Sequence, residues 1–523
     1  MQAPSQRSRR EFLGVATAVG AGVLAATGQL RANAQVIAQT VDQAVAAAMK
    51  AWSVPGACVG VVHNDKVVHI QGYGVRNVVT KTAVTPATLF GVGSCTKAVC
   101  ATAAAVLVDQ NRLAWDDPVR MHLPWFRMSD SLAERELTLR DCLCHRSGLH
   151  DRHDLLYYLA PWSLEEVVRR IAHLELDFPF RSTFHYAGLN YHIAPMIVAA
   201  AAGKPWHEFA REKLLVPLGM TETAFTKAEW EKVENRATTH LKTPDGTAIV
   251  IPPWNPVDNQ IDASGRLKAS GNAMCEWIRM QLQGGKYNGN GVVSESNLRE
   301  TQTPQMVTRR EGFWADVLPM AETVQLSYGL GWHVHDYRGH AVVFHAGRTT
   351  GFSTETVLVP NSKLGFVILT NLDATFMPEA LMHTLLDLYL DLPKTDWNAH
   401  YRNVEAKWKQ TATEEKAARA AKQRKYTKPS LELKAYAGTY SEPAYKEVQV
   451  VEKAGKLWMK WSSFEAELKH FHYDTFTATG DGGINVYNEN PLDGEAVGFV
   501  LNGEGQVSSL DWYGRRFKRV GAK

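Results

Sequence analysis

Residues 93–110 read GSCTKAVCATAAAVLVDQ, and this stretch decides the fold. A glycine-bearing turn leads into an alanine-rich apolar run, which predicts a helix that is hydrophobic on most sides and buried at the centre of a domain. It is the only place in the 523 residues where a serine precedes a lysine by three positions. On a helix, Ser94 and Lys97 would share one face at the first turn.

This spacing makes chemical sense for nucleophilic catalysis. A serine hydroxyl is a poor nucleophile until another group accepts its proton, and a partly desolvated lysine with a lowered pKa can accept it. Ser94 is therefore the candidate nucleophile and Lys97 the candidate proton acceptor. Cys95 is a rival nucleophile, but the second position of such a pattern faces away from the chemistry, so we favour Ser94.

The chain around this helix has the pattern of an α+β protein. A helix is predicted at 38–52, and helical or irregular segments fill 115–290. Strands found near both ends of a domain, with helices between them, predict one antiparallel sheet flanked by helices, with an all-helical subdomain. The predicted strands are 57–63, 66–72, 331–336, 341–345, 354–359 and 365–371.

The C-terminal part has a different composition. Residues 402–428 hold nine Lys or Arg and three acids, which predicts a basic, exposed helical linker. Short alternating segments beyond Pro429 predict a small all-β domain. The predicted organisation is a leader at 1–34, a main domain at 35–395, a helical linker at 396–429 and a β-domain at 430–523.

The leader resembles a twin-arginine export signal. Arg9 and Arg10 precede an apolar stretch, and Ala32-Asn33-Ala34 is a small-residue cleavage site. We therefore expect a periplasmic or secreted protein of bacterial origin, with no stable membrane span after cleavage. The leader carries the whole formal charge of +3, so the mature chain is neutral and its charge does not indicate a nucleic-acid partner.

The six cysteines lie in apolar segments, which favours buried free thiols over a disulfide framework.

Two further motifs could complete a site. Tyr186 stands at the entry of an apolar helix, where its phenol could share proton transfer with Ser94 and Lys97. His345-Ala346-Gly347-Arg348 stands at the end of a predicted strand, where a glycine lets a substrate backbone approach closely and N–H groups can face a developing oxyanion.

With these motifs the chain resembles the serine β-lactamase and penicillin-binding-protein superfamily, in its class C and esterase-like branch, and the β-domain resembles a lipocalin-like module. Segments 137–149, 217–221, 328–332 and 360–371 are similar to stretches that flank the motifs in that family. The resemblance implies acyl-enzyme formation on Ser94, proton transfer by Lys97 or Tyr186, and no cofactor. His345 would stand where many members have a lysine, and the N–H groups of Ser94 and Arg348 would form the oxyanion hole.

One departure from the family pattern affects the choice of substrate. The second motif is usually Tyr-x-Asn, whereas here it ends in Gly188, so one contact to the acyl-side amide is missing. The substrate is therefore expected to be a small ester, amide or peptide, and an esterase or D-amino-acid peptidase is favoured over a β-lactamase. A cell-wall-derived substrate is compatible with this reading. The alternative is a catalytically silent protein that binds a cell-wall fragment.

The remaining candidates are weaker. His145, His150 and His153 stand near two aspartates, Asp151 and Asp154, without the spacing of a metal-binding motif, so no metal is expected. We expect His145 to fix a loop by a hydrogen bond, and His150 and His153 to line the mouth of the cleft. The segment 241–263 is a candidate specificity rim.

Overall fold

The computed structural model describes residues 39–157, 161–251, 261–311, 313–480 and 492–521. The leader at 1–34 lies outside the described residues. The main domain is built on one eight-stranded antiparallel sheet, as the sequence predicts. In spatial order its strands are Met306–Val307, Leu326–Tyr328, His333–Tyr337, His340–Thr349, Phe352–Val359, Leu364–Thr370, Gly56–His63 and Lys66–Gly74.

The sheet is covered on both faces because its central strands are apolar on both sides. Along Phe352–Val359 every residue is buried, and alternate side chains enter two different cores: Leu358 belongs to one, Val357 and Val359 to the other. One core holds the helix at 39–52, Met377–Tyr389 and the start of Trp397–Ala421. The other core holds Gly271–Leu282 and the helical subdomain.

The helix that carries Lys97 runs through the centre of the second core. It spans Thr96–Asp109, and every residue from Thr96 to Leu107 is buried, which confirms the predicted central helix. A single 3₁₀ turn, Gly93–Cys95, precedes it. Gly93 adopts a left-handed φ of 52°, which a glycine tolerates without steric cost.

The main domain contains further short helices and turns, most of them in the helical subdomain. The α-helices are Val119–His122, Ser131–Glu136, Leu139–Leu143, Leu164–Arg170, Asn190–Ala202, Trp206–Ala210, Lys227–Lys232, Glu295–Gln302 and Phe313–Val317. The 3₁₀ turns are Asp151–Leu156, Ile171–His173, Met320–Glu322 and Pro360–Ser362, and Arg211–Leu215 is a π-helical turn. Small sheets pair Leu89–Gly91 and Thr223–Ala224 with Lys268–Ser270, His240–Lys242 with Ala248–Val250, and Lys286–Tyr287 with Asn290–Gly291.

The C-terminal segment forms a closed antiparallel barrel of eight strands. Pairing of Tyr440 with Arg519 closes it. Its interior is filled by buried side chains, many of them aromatic, among them Trp461, Trp512 and Phe517. The strands are Gly438–Glu442, Lys446–Lys453, Lys456–Trp461, Phe464–His472, Thr475–Thr479, Ala496–Leu501, Val507–Trp512 and Arg515–Arg519.

The barrel contacts the helical subdomain through hydrogen bonds. The Arg170 guanidinium donates to the Ala444 carbonyl at 3.0 Å, and Arg515 donates to the His173 carbonyl at 2.7 Å. The Tyr445 hydroxyl lies 3.0 Å from Nδ1 of buried His153. Two barrel loops are thus joined to the subdomain segments near residues 153 and 173.

The structure changes two local expectations. The linker predicted at 396–429 as a basic, exposed helix is helical over Trp397–Ala421, but Trp397, Tyr401 and Val404 near its start are buried in the core that holds Met377–Tyr389. The strand His340–Thr349 continues past His345, where the sequence pattern ended it, because its last residues pair with Phe352–Val359. The predicted third motif therefore lies within a strand.

Candidate active site

Ser94 and Lys97 come together as their spacing predicts. The Ser94 turn and the first turn of the helix place the Lys97 Nζ 2.9 Å from the Ser94 Oγ. Lys97 is buried, with about 1% of its surface exposed, whereas Ser94 is partly exposed. The ammonium also donates to the Ser264 carbonyl at 2.7 Å. The lysine is therefore fixed in reach of the serine proton.

The surroundings of Lys97 lower its basicity. Burial lowers the pKa of Lys97 to about 7, although the negative charges of Asp262 and Asp154 act to raise it. Burial alone would raise the pKa of Asp262, but the charges of Arg266 and His192 hold that pKa well below its usual value. A substantial fraction of Lys97 is therefore neutral near neutral pH and able to accept a proton.

Tyr186 completes the group around the nucleophile. Its hydroxyl is hydrogen-bonded to Ser94, and the Lys97 Nζ lies 4.9 Å from the centre of its ring. The His145 ring stacks on the Tyr186 ring with centroids 4.4 Å apart, and the His145 Nδ1 accepts the Ala187 N–H at 3.2 Å. Burial raises the pKa of Tyr186 above its usual value, so the phenol keeps its proton at neutral pH.

The third motif lies beside the Ser94 turn. A Cβ added to Gly347 would fall 2.0 Å from the Val92 carbonyl oxygen, and one added to Gly93 would fall 2.6 Å from the Arg348 nitrogen. Glycine at both positions therefore lets the strand and the turn touch. The Arg348 side chain pairs with Glu379 at 2.6 Å. The strand residues 345–349 extend past the neighbouring strand, which pairs only with 340–344.

His345 is placed at the site but is engaged on both ring nitrogens. Its Nε2 lies 2.9 Å from the Tyr328 hydroxyl and its Nδ1 lies 2.6 Å from the Ala346 carbonyl. Burial, together with the positive charge of Lys97, lowers the pKa of His345 to about 3. The imidazole is therefore neutral, so it does not supply the positive charge that a lysine would supply at this position.

Gly188 is packed against a residue that the sequence pattern did not single out. A Cβ at Gly188 would fall 2.1 Å from the Tyr157 hydroxyl oxygen and 2.9 Å from the Asp154 Oδ2. Asp154 accepts the N–H groups of Gly188 at 2.9 Å and of Leu189 at 3.2 Å. Tyr157 had no sequence signal because it lies 31 residues away from the second motif and only the fold brings it there.

Other candidates have different surroundings from those expected. Cys95 is buried and its thiol donates to the His345 carbonyl at 3.1 Å, while burial raises its pKa to about 12. His153 does not line the mouth of the cleft, because it is buried against Tyr445 of the barrel. All six cysteines are free and buried, which confirms that expectation.

A three-residue group stands beside the second motif. His150, Asp151 and His185 place their ligand atoms within 4.8 Å of one another. The Asp151 Oδ1 lies 2.6 Å from His150 and 3.2 Å from His185, so hydrogen bonds among the three account for their approach. The absence of a bound metal remains a prediction.

Of the candidate rim at 241–263, residues 252–260 lie outside the described residues. Asp262, near the end of the rim, carries a negative charge that acts on Lys97.

The chain belongs to the β-lactamase family, whose family model matches residues 41–391. Members of this β-lactamase and penicillin-binding-protein-like superfamily are serine hydrolases. A second model, a domain of unknown function called DUF3471, matches residues 422–520, which contain the barrel.

Two relatives are similar to this chain in sequence, and two solved structures are similar to it in fold. The chain is 29% identical over 447 residues to the unguisins hydrolase ungD' of Aspergillus campestris, covering 80% of this chain and 77% of that protein. It is 26% identical over 352 residues to protein flp of Staphylococcus aureus, covering 66% of this chain and 65% of flp, about two thirds of its length.

The fold is similar to that of the octameric penicillin-binding protein homologue from Pyrococcus abyssi, with a TM-score of 0.58 and 19% identity over 92% of this chain and 99% of that one. It is also similar to SurE, with a TM-score of 0.55 and 20% identity over 93% and 100% of the two chains.

Proposed function

We propose that this protein cleaves an ester or amide through an acyl-enzyme intermediate on Ser94. The observation that carries the proposal is the Ser94 Oγ at 2.9 Å from the Nζ of a buried lysine whose pKa is lowered to about 7. Neutral Lys97 takes the serine proton as the Oγ attacks the carbonyl carbon. The N–H groups of Ser94 and Arg348 then stabilise the oxyanion of the tetrahedral intermediate.

Tyr186 completes the proton transfer in this proposal. Because burial raises its pKa, the phenol is a donor and not the initial base. It passes a proton to the leaving alcohol or amine and is reprotonated from Lys97, which leaves the acyl group on Ser94. Water then attacks the acyl-enzyme and loses a proton to Lys97, and Lys97 returns that proton to the Ser94 Oγ as the acid is released. His345 positions Tyr328 and the strand and moves no proton.

The substrate class in this proposal is a small ester, amide or peptide, with an esterase or D-amino-acid peptidase favoured over a β-lactamase. The space beside Gly188, where the family's asparagine would stand, holds Tyr157 instead, so the usual amide contact of that side chain is lost. The proposal includes export through the leader, which agrees with buried thiols that need no oxidant. None of the helices in the described part of the chain is long and apolar enough to cross a bilayer.

Turnover of chromogenic substrates tests this function. The purified protein should hydrolyse a short-chain p-nitrophenyl ester or a D-alanine p-nitroanilide faster than a chromogenic cephalosporin. Ser94→Ala should lower kcat by 10³-fold or more, as loss of a nucleophile does, on the order of several kcal/mol. Equal turnover by Ser94→Ala would overturn the proposal, and faster turnover of the cephalosporin would overturn the preference among substrates. Binding of cell-wall fragments without turnover would support the silent alternative.

A further inference from the structure

The space beside Gly188 in the second motif is occupied by a phenol. A Cβ at Gly188 would fall 2.1 Å from the Tyr157 Oη and 2.7 Å from its Cζ. Real Cβ atoms do not approach that closely, so the tip of the Tyr157 ring fills the space that a side chain at 188 would use. Position 188 is two residues from Tyr186, whose hydroxyl contacts Ser94.

Tyr157 is held in this place from two directions. Its hydroxyl is hydrogen-bonded to the Asp154 carboxyl group, and its ring lies 4.1 Å from the His192 ring, centroid to centroid. Asp154 is itself fixed by the N–H groups of Gly188 and Leu189. Because both carboxyl oxygens accept backbone N–H groups, the hydroxyl is the donor in its bond to Asp154.

Asp154 acts electrostatically on the reacting groups. Its negative charge raises the pKa of Lys97 and of Tyr186. Asp154 and Tyr157 are half-buried, so neither is sealed inside the core. The pair thus lies beside the second motif, next to Gly188.

We propose that Tyr157, positioned by Asp154, takes the place of the missing asparagine as the residue that contacts the acyl side of the substrate. Tyr157 then selects acyl groups with an N–H donor next to the scissile carbonyl, such as the α-amino group of an aminoacyl ester or amide. An asparagine amide offers a donor and an acceptor, whereas a phenol whose proton is bound by Asp154 offers only acceptor lone pairs. The carboxylate behind the phenol favours a positive charge in front of it. This inference rests on the proposed acylation of Ser94.

Two phosphonate probes isolate this contact. Diphenyl 1-aminoethylphosphonate and diphenyl ethylphosphonate differ only in the α-amino group. In both, the Ser94 Oγ forms a bond to phosphorus, one P–O bond to phenoxide breaks, and the serine proton leaves by way of Lys97 to give phenol. The second-order rate constant for labelling is measured by intact mass, so the test requires no turnover.

The wild-type protein should label faster with the amino probe. Tyr157→Phe removes the hydroxyl alone and should lower the rate with the amino probe about tenfold, as loss of a hydrogen bond to a charged group does. The rate with the ethyl probe should change less than twofold. Tyr473→Phe, on an exposed barrel tyrosine, is the matched control and should change neither rate.

A glycine pair provides a second, independent variant. Gly188→Ala adds a Cβ that must displace the Tyr157 hydroxyl, so it should also remove the preference for the amino probe. Gly291→Ala is its control, because a Cβ there meets open space. Equal slowing of both probes by Tyr157→Phe, or no preference in the wild type, would overturn this inference alone. Failure of both probes to label Ser94 would overturn the proposed function together with the inference.

Discussion

The rate of Ser94 acylation should rise with pH and reach its midpoint near 7. The perturbation is pH alone, and its target is Lys97, whose pKa burial lowers to about 7. Only neutral lysine accepts the serine proton, so the rate follows the neutral fraction. For a pKa of about 7 that fraction is about 9% at pH 6 and about 91% at pH 8, a rise of about tenfold.

The assay is the second-order rate constant for labelling by a fluorophosphonate between pH 5 and 9, which reports ionisation in the free enzyme. Asp154 interacts with Lys97 and has a pKa that burial raises to about 7, so its ionisation must be distinguished from that of Lys97. Asp154→Asn and Asp262→Asn each remove a negative charge that raises the Lys97 pKa, and each should move the midpoint to lower pH.

A midpoint at the ordinary lysine pKa, or a rate independent of pH, would refute the reasoning. Loss of the pH dependence in Asp154→Asn would assign the titration to Asp154, whereas a midpoint moved to lower pH assigns it to Lys97. The engaged, neutral His345, with its pKa near 3, should contribute nothing in this range. His145, whose pKa burial holds well below its usual value, should be silent as well.

Three further predictions concern stability. Lys97→Met should raise the unfolding free energy at pH 7 by at most about 4 kcal/mol, measured by denaturant titration. The reason is that a lysine pKa lowered from 10.5 to about 7 destabilises the wild type at pH 7, and this destabilisation disappears only as pH rises towards 10.5. Glu355 is buried beside Glu379, and burial raises its pKa, so its own contribution to stability should fall as pH rises above the usual glutamate pKa. The stability of Glu355→Gln relative to the wild type should therefore increase with pH; a difference that does not change with pH would contradict this. Tyr445→Phe removes the contact to His153 and should lower stability by about 1 kcal/mol in thermal unfolding. Unchanged stability would mean that this contact does not stabilise the packing of the barrel on the subdomain.

The sequence predicted the fold where periodicity and local chemistry decide it. The alanine-rich run after Ser94 became the buried central helix, and the strands at both ends of the main domain joined one sheet. Strand ends were less accurate, because pairing across the sheet extends His340–Thr349 beyond its own apolar pattern. The all-β character of the C-terminal domain followed from alternating segments, whereas closure of its barrel depends on strands that are far apart in the sequence.

The candidate site was predictable only in part for the same reason. Ser94 and Lys97 lie within one helical turn, so their spacing alone predicts their approach. Asp154 and Tyr157 reach the site from one short turn and Asp262 from another segment, all without a motif. Their roles depend on distances that only the fold sets. Sequence reasoning treated Gly188 as a loss, whereas the structure shows that another side chain occupies the space.

The identity of the labelled residue tests the central claim most directly. The protein is treated with a fluorophosphonate, its intact mass is measured, and the modified peptide is sequenced. The account predicts one adduct per chain, on Ser94, absent from Ser94→Ala and retained by Cys95→Ala. An adduct on another residue, or one that persists in Ser94→Ala, would contradict it.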